Sequence, residues 1–184
     1  MKKLCLLLFL SLMATTARAV DSVYVEYREG TSLVSSTAHA KLYRIGATWN
    51  WSRSWLNNGD WHVTGFWDVA LAQWHGEKSG DNNQTVTDVG ITPVFRLARK
   101  EGAAIAPYLE AGLLGIHLIS PTYLYSDRRF STAFQFGHIL GFGVSLGEHR
   151  QFELGFRYQH VSNGDLRLPN DGMDFSLVHL AYRF

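Results

Sequence analysis

Past its N-terminal apolar run the chain has no cysteine, because the one it carries is Cys5. With Cys5 removed along with that run, a disulfide framework, a thiol nucleophile and a cysteine-ligated metal are all excluded. No later segment approaches the ~20 consecutive apolar residues that a membrane helix needs. Charge of one sign is lacking too, with 17 Lys and Arg against 16 Asp and Glu. That balance gives no electrostatic case for a nucleic-acid partner. The mean hydropathy of −0.08 is near neutral. A soluble domain gives such a value, and so does a barrel whose lipid-facing residues alternate with lumen-facing ones. Periodicity separates the two.

What is present begins with a targeting segment. Met1-Lys2-Lys3 is positive, Leu4 to Met13 is apolar, and Ala17-Arg18-Ala19 puts small residues where a signal peptidase reads. This pattern predicts a cleaved signal peptide over residues 1–19 and one domain over residues 20–184. Cleavage would remove Lys2, Lys3 and Arg18, leaving 14 basic and 16 acidic residues and a net charge of −2.

The rest of the chain alternates with period two. Phe152, Leu154, Phe156 and Tyr158 share one face, and Glu153, Gly155, Arg157 and Gln159 the other. An amphipathic helix cannot produce this pattern. It recurs from Val23 to Tyr27, Leu42 to Trp51, Val63 to Leu71, Val89 to Arg96, Ile105 to Leu113, Phe134 to Leu146 and Val178 to Phe184. Eight segments, each near the ~9–11 residues that cross a bilayer when tilted, predict an all-β, eight-stranded antiparallel up-and-down transmembrane β-barrel in the outer membrane. The polar faces carry Arg44, Asp68, Glu110, Glu153 and Arg157. Pointed inward, these fill a barrel too narrow for a channel. Trp49, Trp51, Trp55 and Trp61 flank one turn, as girdle residues do at a membrane interface. Pro93 and Pro107 fall inside two of the strands and argue against a regular ladder there. With both termini periplasmic, the outward loops are residues 30–38, 76–84, 118–130 and 164–171, and the inward turns include 99–102 and 147–150.

Parity also sorts the chemistry. Continuing past Tyr158 puts His160 and Ser162 on the lipid-facing side, and running back from Phe184 puts Ser176 and Asp174 there too. Polar groups facing lipid are costly and point to function. A hydroxyl and an imidazole two residues apart, with an acid on the paired strand, form the nucleophile, base and orienting acid of acyl transfer. The competing account makes His160 an interfacial residue and Ser162-Asn163-Gly164-Asp165 an ordinary turn. His138 shares the parity without such partners and reads as interfacial.

His160-Val161-Ser162-Asn163, followed by Pro169-Asn170-Asp171-Gly172 and Asp174, resembles the signature of the lipid A 3-O-deacylase (PagL) family. The resemblance extends to Trp49-Asn50-Trp51-Ser52-Arg53-Ser54-Trp55, Thr64-Gly65-Phe66-Trp67-Asp68 and Pro107-Tyr108-Leu109-Glu110-Ala111-Gly112. It implies a serine esterase that hydrolyses the acyl ester at the 3 position of lipid A in the outer leaflet. Ser162 would be the nucleophile and His160 the general base. Asp174 stands where the best-known members have glutamate, one methylene longer, and Asp171 is the nearest substitute. Asn163, Asn170 and the Gly164 amide are the oxyanion or support candidates. No cofactor or metal is called for. Lipopolysaccharide and membrane lipid are the expected partners, and a homodimer is left open. Lys78, Arg128, Arg129 and Arg167 either attract lipid A phosphates or are solvated loop charges. The alternatives are a structural or adhesive barrel without catalysis and, less favoured, a palmitoyltransferase, which would need an acyl cavity inside the barrel.

Overall fold

A computed structural model of the chain describes residues 19–28, 39–56, 59–99 and 104–184. Nearly all of the segment read as a signal peptide, the first outward loop at 30–38 and residues 100–102 of one inward turn lie outside these. The described residues form ten strands: β1 (Ser22–Arg28), β2 (Ala40–Asn50), β3 (Trp61–Gly76), β4 (Thr85–Arg99), β5 (Ile105–Ser120), β6 (Tyr123–Tyr125), β7 (Arg128–Arg129), β8 (Phe134–Leu146), β9 (Phe152–Ser162) and β10 (Met173–Arg183). Eight of them close an antiparallel barrel in the order β1-β10-β9-β8-β5-β4-β3-β2, and β6 and β7 form a separate short hairpin. Closure leaves no strand edge without a hydrogen-bonding neighbour, which hydrocarbon demands of any sheet crossing it.

Alternation decides what each face meets. In β1 the burial runs strictly in-out from Ser22 to Arg28. Val25, Ile45, Leu109, Leu140 and Phe142 stand exposed on the outer surface, each about half accessible or more. Proline interrupts the pattern once. Pro93 has no N–H for the β4–β5 ladder, whose register shifts between the Ile91–Ile116 and Val94–Gly112 pairs. The surplus residue appears as a bulge on β5, where Leu114 takes φ +56°. Pro107 lies just beyond the last β4–β5 pair, Ala98–Tyr108, so it costs that ladder nothing. On the girdle, Trp51 packs against Trp55, Trp67 and Phe95 with ring centroids 5.1–6.4 Å apart. It lies flat over Gly65, where a Cβ would sit 1.9 Å from the indole, so only glycine fits beneath it.

The lumen has two storeys. Toward the termini it is ionic and centred on Arg157, whose guanidinium reaches Glu26 at 3.0 Å, Asp68 at 2.9 Å and Glu110. Arg44 adds a second cation to Glu26 at 2.8 Å, and Arg96 bridges Glu110 and Glu153 at 3.0 and 2.6 Å. The five lumen charges expected from the sequence all belong to this network, and Glu26, Arg96 and His179 join them. Toward the opposite rim the lumen turns apolar. Trp74, Phe175 and Leu177 from the wall meet Leu124, Tyr125 and Phe130 from the β6–β7 segment, which folds into the barrel mouth as a plug. That segment, and the longer connections at 77–84 and 163–172, mark this rim as the outer one.

A buried charge stripped of its partner costs far more than a broken exposed pair. Arg157→Ala would leave three carboxylates short of a cation and destabilise the barrel by about 3–5 kcal/mol. Arg183, a looser partner of Glu153 at 3.6 Å with a side chain 39% exposed, would lose less than about 1 kcal/mol on replacement by Ala. Urea unfolding in lipid vesicles measures both, and equal losses would refute the hub role.

Candidate active site

The site is made by three neighbouring strands near the outer rim. In the β9–β10 ladder His160 lies directly opposite Asp174, and in the β8–β9 ladder His138 lies opposite His160 and Phe136 opposite Ser162. Residues i and i+2 of a strand share a face, so His160 and Ser162 project together. That face is the outer one. Below it on β9 run the exposed Phe156, Leu154 and Phe152, while the His160 and Asp174 side chains remain 38% and 29% accessible.

The three groups expected from parity are in hydrogen-bond contact. His160 Nδ1 is 2.7 Å from Asp174 Oδ1, and His160 Nε2 is 3.0 Å from Ser162 Oγ. An ionised carboxylate only accepts, so Nδ1 carries the imidazole proton and Nε2 is left to accept the serine hydroxyl. The relay therefore holds the tautomer in which His160 can take a proton from Ser162. Aspartate reaches the imidazole without an intervening group because the two residues are direct cross-strand partners.

The same Asp174 oxygen accepts a second bond, from the Tyr158 hydroxyl at 2.6 Å. His138 stacks beside His160, with ring centroids 6.4 Å apart and planes 19° apart. Neither contact follows from the sequence. Parity puts Tyr158 and His138 on the right face but says nothing of which neighbour each one reaches.

The loop from Asn163 to Gly172 closes over the outer side. Asn163 is fully buried, and its Nδ2 donates to the Phe130 and Arg167 carbonyls, both at 2.7 Å. Its backbone N–H donates to Asn170 Oδ1 at 3.0 Å, and Asn170 Nδ2 in turn donates to Asp165 at 2.9 Å. Both side-chain hydrogens of Asn163 are thus committed to holding the loop. The Gly164 N–H, in a residue with φ +63°, has no acceptor among the described residues. Gly172, at φ +59°, brings the chain back against the site, where a Cβ would lie 3.3 Å from His160 Cε1 and 3.5 Å from Ser162 Cβ.

Asp171 turns away from the imidazole. Its carboxylate accepts the Arg129 N–H at 2.6 Å, and its backbone carbonyl accepts from Arg128 at 2.9 Å. Of the loop cations, Arg128 is therefore a strap between the plug and the site loop, and Lys78 is paired with Asp127 at 2.7 Å and Asp81 at 3.4 Å. Arg129 Nε donates to the Ser126 carbonyl at 3.1 Å, while Arg167 stands exposed.

An eight-stranded transmembrane barrel with a carboxylate–imidazole–hydroxyl relay on its lipid side has the form of an outer-membrane enzyme. A family model described as lipid A 3-O-deacylase (PagL) matches residues 41–183, and the chain belongs to that family. It is 30% identical to the lipid A deacylase PagL of Pseudomonas aeruginosa over 166 residues, covering 88% of this chain and 91% of that one. A 77-residue stretch is 38% identical to the lipid A deacylase PagL of Bordetella bronchiseptica, covering 42% and 41% of the two chains. The fold is similar to a crystal structure of the outer membrane enzyme PagL, with a TM-score of 0.72 and 26% identity over 89% of this chain and 99% of that one.

The loop clamp around the site depends on pH. The Ser126 hydroxyl and backbone N–H, followed by Asn82 and Lys78, lower the Asp81 carboxyl from its ordinary 3.8 to about 2. The Lys78 ammonium lowers Asp127 likewise. A carboxyl lowered by folding stabilises the clamp fully above its ordinary value and loses that contribution as pH falls through its folded value. Exchange protection of residues 123–129, corrected for the intrinsic pH dependence of amide exchange, should hold steady down to about pH 4 and fall between about pH 4 and pH 2. A loss of protection beginning near neutrality would place the clamp elsewhere.

Proposed function

We propose that this protein is a serine esterase that removes the acyl chain ester-linked at the 3 position of lipid A. The observation that carries the reading is the single hydrogen-bonded line Asp174–His160–Ser162 on the lipid side of the outer rim. Lipid A lies in the outer leaflet at that depth, so its acyl ester can meet Ser162 by lateral diffusion without entering the barrel. Family membership supports the same substrate.

Ser162 Oγ attacks the ester carbonyl as its proton passes to His160 Nε2, and Asp174 remains ionised and stabilises the imidazolium. The negative charge on the carbonyl oxygen is met by the Gly164 N–H, which is oriented by the Asn163 and Asn170 locks on either side of it. Collapse expels the sugar 3-oxygen, which takes the proton from His160. Water, deprotonated by the same nitrogen, then attacks the acyl-enzyme and releases the fatty acid. A lumen filled by ion pairs below and by the β6–β7 plug above supports an acyl group bound outside the barrel and disfavours a palmitoyltransferase, which would draw its donor chain inside.

The test is mass spectrometry of lipid A incubated with detergent-solubilised protein. The expected result is release of the 3-linked fatty acid. By the pattern of other triads, Ser162→Ala and His160→Ala should lower turnover on the order of 10⁶-fold and Asp174→Ala about 10⁴-fold. Intact lipid A in the presence of a folded barrel would replace the esterase with a non-catalytic one.

A further inference from the structure

The relay on β9 and β10 includes a fourth member. The Tyr158 hydroxyl donates to Asp174 Oδ1 at 2.6 Å, the same oxygen that receives the His160 N–H at 2.7 Å. We infer that Tyr158 is a positioning residue for the reaction, a phenol that fixes the rotamer of Asp174 on the lipid-facing wall. The inference rests on the serine-esterase reading of the same site.

Two physical needs converge on that oxygen. Rotation about the last bond of an aspartate side chain is soft and roughly two-fold, so one imidazole N–H fixes it poorly. A second donor, arriving from two residues along β9, holds Oδ1 between Tyr158 and His160. A carboxylate beside hydrocarbon is also poorly solvated, and its charged form survives there only if hydrogen-bonded. Glutamate could swing toward solvent or the imidazole by itself, whereas aspartate, held close to its strand, is met by the phenol. Around Tyr158 the other groups are few. His160 stands beside it on β9, Ser176 and Asp174 face it from β10, and Leu140 and His138 flank it from β8. Behind Asp174, the Arg28 guanidinium of β1 donates to its backbone carbonyl at 2.9 Å and adds its charge to the carboxylate's surroundings, while Oδ1 accepts from Tyr158 and His160.

Tyr158→Phe keeps the ring and removes only the hydroxyl. By analogy with the outer partners that orient metal-bound imidazoles, kcat on lipid A should fall about 10–100-fold with KM little changed. A fall in kcat with KM unchanged is a split that a general loss of packing would not produce. In an Asp174→Glu background the longer arm should make Tyr158→Phe much less damaging, giving a non-additive cycle.

The experiment combines these lipid A kinetics with the rate of Ser162 labelling by a fluorophosphonate, which needs an activated serine but no lipid A. Folding of each variant is checked by its heat-modifiable mobility on gels. Slower labelling by Tyr158→Phe, largely recovered in the Asp174→Glu background, supports the inference, and if lipid A is untouched in the same samples only the deacylase reading fails. Labelling and turnover by Tyr158→Phe at the parental rate would overturn the inference and leave the deacylase standing. A parent that neither labels nor cleaves would remove both.

Discussion

Hydrocarbon offers no hydrogen bonds, and the rest of the structure follows from that constraint. It forces the sheet to close, because an open edge would leave N–H and C=O groups unmet. It forces each strand to alternate, because one face meets lipid and the other meets the lumen. Parity then becomes a strict sorting rule. A residue with lipid-facing parity cannot hide, so a histidine, a serine and an aspartate on that parity are held at the surface. The relay stands on the lipid-facing wall near the outer rim, within direct reach of a lipid in the same leaflet.

The lumen answers the same constraint in the opposite way. Arg157 gathers Glu26, Asp68 and Glu110, and Arg96 ties Glu110 to Glu153. Ion pairs of this kind are weak evidence for net stability, but they are intolerant of losing a partner. They also join strands far apart in sequence, from β1 to β9, and so fix the cross-section on which the register of β9 against β10 depends. Above them the β6–β7 plug fills the outer storey and supports the site loop. Arg128 and Arg129 grip Asp171 and Gly172, and Gly172 in turn rests against His160. The geometry of the relay is thereby tied to a wall that is rigid below and clamped above.

Much of this was legible in the sequence because period two carries the information. The eight barrel strands, the five inward charges and the shared face of His160, Ser162 and Asp174 all follow from counting along the strands. What alternation does not encode was not legible. The β6–β7 hairpin has strands of three and two residues, too short to show a period, and lies within what reads as a plain loop. The β5 bulge at Leu114 shifts parity without a marker on its own strand, although Pro93 across the ladder was a sign of it. Asn163 and Asn170 carry donor chemistry in the sequence, yet burial and two carbonyl neighbours commit Asn163 to the loop, and Asn170 donates to the Asp165 carboxylate. Tyr158 shows the same limit from the other side, since a face can be counted but a diagonal reach cannot.

The central claim is that Ser162, projecting into the lipid phase, attacks the ester itself. Its most direct test is to capture the acyl-enzyme, by mixing protein with lipid A, quenching in acid within the first turnover and mapping peptides by mass spectrometry. The account predicts a fatty-acyl increment on the peptide bearing Ser162, lost on hydroxylamine treatment. Cleavage of lipid A with the increment on any other residue would contradict it.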